Sequence, residues 1–458
     1  MNTKTALFSF SALLAVSAFA TLTVSNVSVT HNQATRTVIV NYDLGGEDAI
    51  VTLDVKTNGV SIGATGLQAT CGDVNRLVTA GTGKTICWYA ERGWPARMYN
   101  SSSNIAFSAD VKAWATNAPP KYMAVDLTGT NGVEVGHRFY CDDLDVTNRI
   151  YKTDYLVFRY IPAKGVVFPM GKWIRWGDNT YSGVRIYAYH RVTLTNNFYM
   201  AIYELTQGQF KNIWKRGKGS DIDNWWLTRF EERPVCPVDA YPCHNFRGIG
   251  YFWPRDGHLS ATSDGSDATT LNVFRNTLNL PDLDLPTEAE WEFACRAGTA
   301  EGRYDGYDVA NTGDYVSELG QIAWSSRNVS SGVPNEVGLK LPNQFGLYDM
   351  FGNVGEWCLD YYITNRTDAS DYAIPVGGAD YETAASSSPN ATDPVGPDYD
   401  ADGLSNDKDA LRVVRGGSVL QTEWYALAYD RRGHMMSTDS TTSTRLGYRL
   451  VWVPVGTP

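Results

Sequence analysis

The residues best suited to chemistry lie in FGLYDMFGNVGEWC, Phe345 to Cys358, where two carboxylates, Asp349 and Glu356, flank a run of backbone carbonyls. Phe345-Gly346 and Gly352-Asn353 punctuate the run, and Gly and Asn accept left-handed backbone, so it reads as a folded loop. Carboxylate and carbonyl oxygens closing on one point form the ligand set of a hard cation such as calcium. The same spacing also describes a surface turn whose two acids face water, and spacing alone leaves both readings open. Seven cysteines, Cys71, Cys87, Cys141, Cys236, Cys243, Cys295 and Cys358, make an odd set. Cys71 with Cys87, and Cys236 with Cys243, are the local pairings, and at least one thiol stays free or pairs between molecules. There is no Cys-x-x-Cys and no ligand spacing among the six histidines, so the sequence offers nothing for zinc or iron.

The chain that must position these groups has 458 residues and a formal net charge of −11, enough length for two or three domains. Its acidity argues against nucleic acid and against an anionic membrane surface as partners. Residues 1–20 read as a signal peptide: Lys4, an apolar run from Leu7 to Phe19, and Ala18-Phe19-Ala20 as the cleavage site. The expected mature chain starts near Thr21 and is exported, to a periplasm, the cell surface or the medium, where disulfides form. An uncleaved anchor is the alternative. That run is too short to span a bilayer, and no later stretch approaches the required length of about 20 residues.

From 21 to 117 the pattern alternates with period two. Val38, Val40, Tyr42 and Leu44 form one apolar face, Val51, Leu53 and Val55 another, and Ile105 to Ala113 a third, with turns at Gly45-Gly46 and Asn58-Gly59. Short strands of this kind predict an antiparallel β-sandwich of immunoglobulin or fibronectin type, read as a spacer or adhesion module. Residues 118–154, opening on Ala118-Pro119-Pro120, are expected to be a linker or connecting strand. A second region, 155–455, starts with a strand at Tyr155–Phe158. Thr206-x-x-Gln209 is a capping box that starts a helix with Phe210, Ile213 and Trp214 on one face, closed by Gly217. Thr287-x-x-Glu290 repeats it, with Trp291, Ala294 and Cys295 on the face and Gly298 at the end. A third helix is expected between Ala268 and Leu278. The fold class is therefore α+β, with a loop-rich second domain.

Five ordered motifs in that second region carry a resemblance: FYMAIYELTQGQF (198–210), LPTEAEWEFACRAGT (285–299), FGLYDMFGNVGEW (345–357), RVVRGGS (412–418) and LGYRLV (446–451). Together they resemble the sulfatase-modifying factor family, that of the formylglycine-generating enzymes, over about two thirds of the chain. The resemblance implies a variant of the C-type lectin fold. It also implies a calcium site made by the Asp349 and Glu356 side chains with the Gly352 and Val354 carbonyls. The family's second calcium site has no counterpart, because 323–343 differs. Active members oxidise a substrate cysteine with copper held by two cysteines after the GGS motif. Those positions here are Gln421 and Ala426, which cannot hold copper(I), although Ser418 is retained. Gly355 replaces a family tryptophan. Copper is therefore not expected as a cofactor.

What remains of the family's pocket is Arg415, Ser418, Gln421, Glu423, Trp424, Arg431 and Arg432. This mixture suits recognition of a peptide or carbohydrate, or else it closes the fold with Trp424 in the core. A separate insertion places Asp398, Asp400, Asp402 and Asp409 at positions 1, 3, 5 and 12 of a loop with Gly403 at 6. That loop resembles an EF-hand or dockerin calcium loop with a shorter final ligand, or is a solvated acidic loop. The leading functional expectation is an exported, non-catalytic binding protein with a calcium-stabilised domain. The alternatives are a divergent formylglycine-generating oxidase and a structural surface protein crosslinked through its odd cysteine.

Overall fold

The computed structural model describes residues 21–32, 34–62, 70–90, 106–129, 134–172, 187–223, 227–228, 231–248, 269–300, 302–305, 315–362, 390–394, 411–422, 425–435 and 445–454. The chain separates into two compact units, the first ending at Ala118 and the second running from Pro119. The expected signal peptide lies outside the described residues.

The first unit contains β1 (Thr23–Asn32), β2 (Thr37–Gly45), β3 (Ala49–Thr57), β4 (Val60–Ser61), β5 (Thr70–Gly72), β6 (Leu77–Val78), β7 (Gly81–Tyr89) and β8 (Phe107–Trp114). They form two antiparallel sheets, one ordered β1-β2-β7-β5 and the other β4-β3-β6, with β8 on the opposite edge of β3. Val38, Val40, Tyr42 and Leu44 are buried, as are Val51, Leu53 and Val55, so the alternating residues form the unit's interior together with Ile86 and Trp88. Asn58 and Gly59 have φ values of 51° and 80°, the two left-handed residues that a tight β3–β4 hairpin requires.

The second unit begins where a linker or connecting strand was expected. Residues 118–154 are not a free connector: β9 (Tyr122–Asp126) and β10 (Arg138–Cys141) pair as antiparallel strands, and β9 continues onto β11 (Tyr155–Ile161). Met123, Ala124 and Val125 are fully buried, and that apolar burial gives the stretch its place in the sheet. Further strands are β12 (Val167–Lys172), β13 (Tyr187–Thr193), β14 (Phe198–Ala201), β15 (Leu283–Asp284), β16 (Ala323–Trp324), β17 (Phe351–Gly352), β18 (Gly355–Tyr361), β19 (Asn390–Thr392), β20 (Leu411–Arg415), β21 (Arg432–Met435), β22 (Leu446–Gly447) and β23 (Val451–Trp452). The main sheet has the order β10-β9-β11-β14-β23-β15, and smaller sheets are β12-β13-β19, β16-β17 and β21-β20-β18-β22.

Among the described residues the α-helices are α1 (Gln207–Lys218), α2 (Cys243–Arg247), α3 (Thr270–Leu278), α4 (Glu288–Arg296) and α5 (Tyr315–Ile322). Both capping boxes form, at Thr206/Gln209 and Thr287/Glu290. α1 does not close at Gly217. It runs to Lys218 and ends on Gly219 at φ 70°. Gly217 serves packing instead, since a Cβ there would lie 2.4 Å from side-chain atoms of Val273 and Thr277 on α3. α4 stops one residue earlier than its glycine, with Ala297 left-handed at φ 47°.

Candidate functional site

The 345–358 loop is tied into the interior by its own backbone. Gly346, Asp349, Gly352 and Asn353 all have positive φ, between 54° and 81°. Gly352 cannot be replaced without strain, because a Cβ would stand 2.0 Å from the Trp324 carbonyl oxygen. These turns bury both acids. Asp349 and Glu356 are each 1 % exposed, so the reading of a surface turn facing water does not hold.

Around them lies a cluster of buried charge. Glu356 Oε2 accepts from the Trp291 indole of α4 at 2.6 Å, and both its oxygens accept from Arg449, the closest contact being 2.6 Å. Arg449 also donates to the carbonyls of Ala201 and Tyr348, which fastens the end of β14 to the loop. Glu204 accepts from Asn353 Nδ2 at 2.6 Å and from the Val354 amide at 3.0 Å. Asp349 Oδ2 accepts from the Gly338 amide at 2.6 Å, while its buried Oδ1 has no hydrogen-bond partner. Burial, followed by the charges of Asp349 and Glu356, pushes Glu204 well above the usual carboxylate range. Burial likewise raises Asp349 to about 6, against the lowering effect of the Gly338 amide and Arg449.

Three buried carboxyl groups share the guanidinium of Arg449, so ionising all three would leave negative charge uncompensated, and Glu204 and Asp349 hold their protons more tightly. The partnerless Asp349 oxygen and this imbalance fit a hard divalent cation. Glu356 fits less well, because Arg449 and Trp291 already occupy the directions in which its oxygens accept. Among the described residues no three His, Cys, Asp or Glu side chains converge to hold a metal, so a cation here depends on carbonyl oxygens.

Of the residues expected to line a ligand pocket, Arg415 and Ser418 are buried, and Gln421, Arg431 and Arg432 are half-buried. Arg415, at the end of β20, is 1 % exposed. It pairs with Glu292, lies 3.2 Å from Glu288, and donates to the carbonyls of Ala428 and Asp430. Its expected role in an open pocket is corrected: the guanidinium is consumed inside the protein. Ser418 is buried, and its Oγ accepts from the Leu420 amide at 3.4 Å. Gln421 is half-buried, its carbonyl accepting from the Ser326 amide. Ala426 lies in the apolar core at 2 % exposure. Arg431 forms a bidentate pair with Glu288 at 2.6 and 2.8 Å. Arg432 stacks on the Tyr425 ring at 3.7 Å. Glu423 and Trp424, and Asp398, Asp400, Asp402 and Asp409 of the acidic insertion, lie outside the described residues. Val414 and Leu446 pack closely on Gly355: a Cβ there would meet their side-chain ends at 2.8 and 3.1 Å, and they would have to shift to admit one.

Sequence reasoning passed over Glu204, Arg449, Glu288 and Glu292 as participants. Each sits inside a quoted motif, and the signal was an ionisable residue in an otherwise apolar run, as in YMAIYEL and LGYRLV.

Comparison with known proteins agrees with the five motifs. A family model described as the sulfatase-modifying factor enzyme 1-like domain matches residues 162–454. The chaperone protein LppX of Paenibacillus barcinonensis is 30 % identical over 250 residues, covering 50 % of this chain and 83 % of that protein. The formylglycine-generating enzyme of Thermomonospora curvata is 29 % identical over 175 residues, covering 37 % of this chain and 50 % of the enzyme. That of Streptomyces coelicolor is 32 % identical over 169 residues, covering 36 % and 45 %. The chain thus spans about half the length of these two enzymes. Among solved structures, Treponema denticola variable protein 1 aligns over 66 % of this chain and 96 % of its own, with 22 % identity and a TM-score of 0.42.

Proposed function

The chain belongs to the sulfatase-modifying factor family, and we propose that it is a non-catalytic member that binds a peptide or glycan. One observation carries this reading. The positions matching the family's copper ligands are Gln421 and Ala426, and Ala426 is a methyl group packed in the apolar core. Neither residue supplies a thiolate for a soft cuprous ion. The close packing of Val414 and Leu446 on Gly355 supports it, since the resemblance puts a tryptophan there. A relative named as a chaperone is compatible with a binding role.

In this reading the second unit is a lectin-like variant fold stabilised by calcium. Asp349 and Glu356, with the carbonyls of Gly352 and Val354, would hold the ion. The acidic insertion at Asp398, Asp400, Asp402 and Asp409 takes a second, weaker calcium. The first unit is an immunoglobulin- or fibronectin-like sandwich that displays the binding domain, and residues 1–20 direct export. Among the described residues, no helix is long and apolar enough to cross a membrane.

The test incubates the calcium-loaded protein, copper and a reductant with a Cys-x-Pro-x-Arg peptide, and mass spectrometry follows conversion of the cysteine to formylglycine. No conversion is expected. Turnover would sink the reading and return the divergent oxidase. Peptide and glycan arrays, with and without chelator, then identify the ligand class, and chelator-sensitive binding is expected.

A further inference from the structure

We propose that Cys71 and Cys87 form a cross-strand disulfide on the outer face of the first unit, closed by exchange with a small-molecule or protein disulfide. The two residues are direct partners in the antiparallel pairing of β5 with β7. In the same register the Asp73 amide donates to the Thr85 carbonyl at 2.9 Å, and the Thr85 amide donates to the Asp73 side chain at 3.2 Å. Cys71 and Cys87 are directly opposed, and the side chains of opposed residues leave the sheet on one face. Opposed antiparallel residues hold their Cα atoms about 4.5–5.5 Å apart, inside the span of roughly 4.4–6.8 Å that a disulfide bridges.

The side chains converge as well. The Cys71 thiol donates to the Tyr89 hydroxyl at 3.8 Å, and the same hydroxyl interacts with Cys87. Cys71 is the most accessible of the thiols. Cys87 and Cys141 are partly exposed, whereas Cys236, Cys243, Cys295 and Cys358 are buried. Burial pushes the Cys236 and Cys243 thiols up to about 11, and burial with Asp142 and Asp143 pushes Cys141 up to about 12. Thiolate is the attacking species, so exchange proceeds at the outer pair first.

The chemistry balances within the exchange. One thiolate attacks a sulfur of the external disulfide and expels one thiol. The second attacks the resulting mixed disulfide and expels the other. Cys71 and Cys87 together lose two protons and two electrons, and the external disulfide is reduced to two thiols. The product ties β5, three residues long and at the sheet edge, to β7, and cuts the freedom of the unfolded chain between them.

The full chain, purified reduced, is exposed to oxidised glutathione, alkylated in denaturant and digested with trypsin without reduction. The expected product links Thr57–Arg76 to Thr85–Arg92, and both peptides lose their alkyl group. In C71S and in C87S the link disappears and the remaining cysteine carries glutathione. Oxidation raises the unfolding midpoint of the first unit by on the order of 10 °C in the unaltered chain and not in the double variant. The proposal is overturned if the unaltered chain keeps both thiols alkylated, retains glutathione on either, or joins them to other cysteines or other chains.

Discussion

The two units bury apolar side chains alike but place their charges differently. The first buries apolar side chains behind alternating strands and keeps its ion pairs outside, as at Lys56 with Asp110, whose side chain is 67 % exposed. The second buries ionisable groups: Glu204, Glu292 and Arg449 have no exposed surface, and Glu356 and Arg415 are 1 % exposed. An exposed pair sits in water and salt and adds little, whereas a buried ion deprived of its partner keeps its full desolvation cost. The second unit should therefore be the more brittle one toward polar substitutions.

Arg449→Met gives the largest effect. It leaves Glu356 facing Glu204 and Asp349 without a counter-charge, at a cost on the order of 3–5 kcal/mol. Hydrogen exchange read peptide by peptide should show the second unit opening while the first keeps its protection. Lys56→Ala should leave protection in the first unit unchanged. Equal losses from the two substitutions would break the contrast.

A pH series sharpens it. Burial and then the charge of Glu288 push Asp360 of β18 up to about 7 from its ordinary value of 3.8. The folded state holds that proton more tightly than the unfolded chain. Its stabilising contribution is complete below about pH 4 and is lost as pH climbs through about 7. Denaturant midpoints of the second unit should fall across that window, and Asp360→Asn should flatten the slope. An unchanged slope in the variant would assign the effect to another group.

The smallest effect tests local against long-range contributions. Thr287→Ala removes the oxygen that accepts from the Glu290 amide and should cost about 1 kcal/mol by chemical denaturation. A loss as large as that from Arg449→Met would mean that the α4 cap governs the buried-charge cluster.

Periodicity and local chemistry made much of the scaffold legible in advance. The alternation in β2 and β3, the Asn58-Gly59 turn and both capping boxes depend on neighbours within a few residues, so the sequence by itself determined them. The family was legible from five motifs in order, and so was the gathering of Asp349 and Glu356 in one loop. Only the tertiary structure decided what those acids face. Arg449 reaches Glu356 across 93 positions, and Asn353 reaches Glu204 across 149. It also decided that Arg415 turns inward to Glu292 on α4, and, between the linker and strand readings of 118–154, that Tyr122–Asp126 and Arg138–Cys141 are strands of the main sheet. Burial and charge pairing arise between segments distant in sequence, and no local spacing encodes which distant partner will neutralise a given charge.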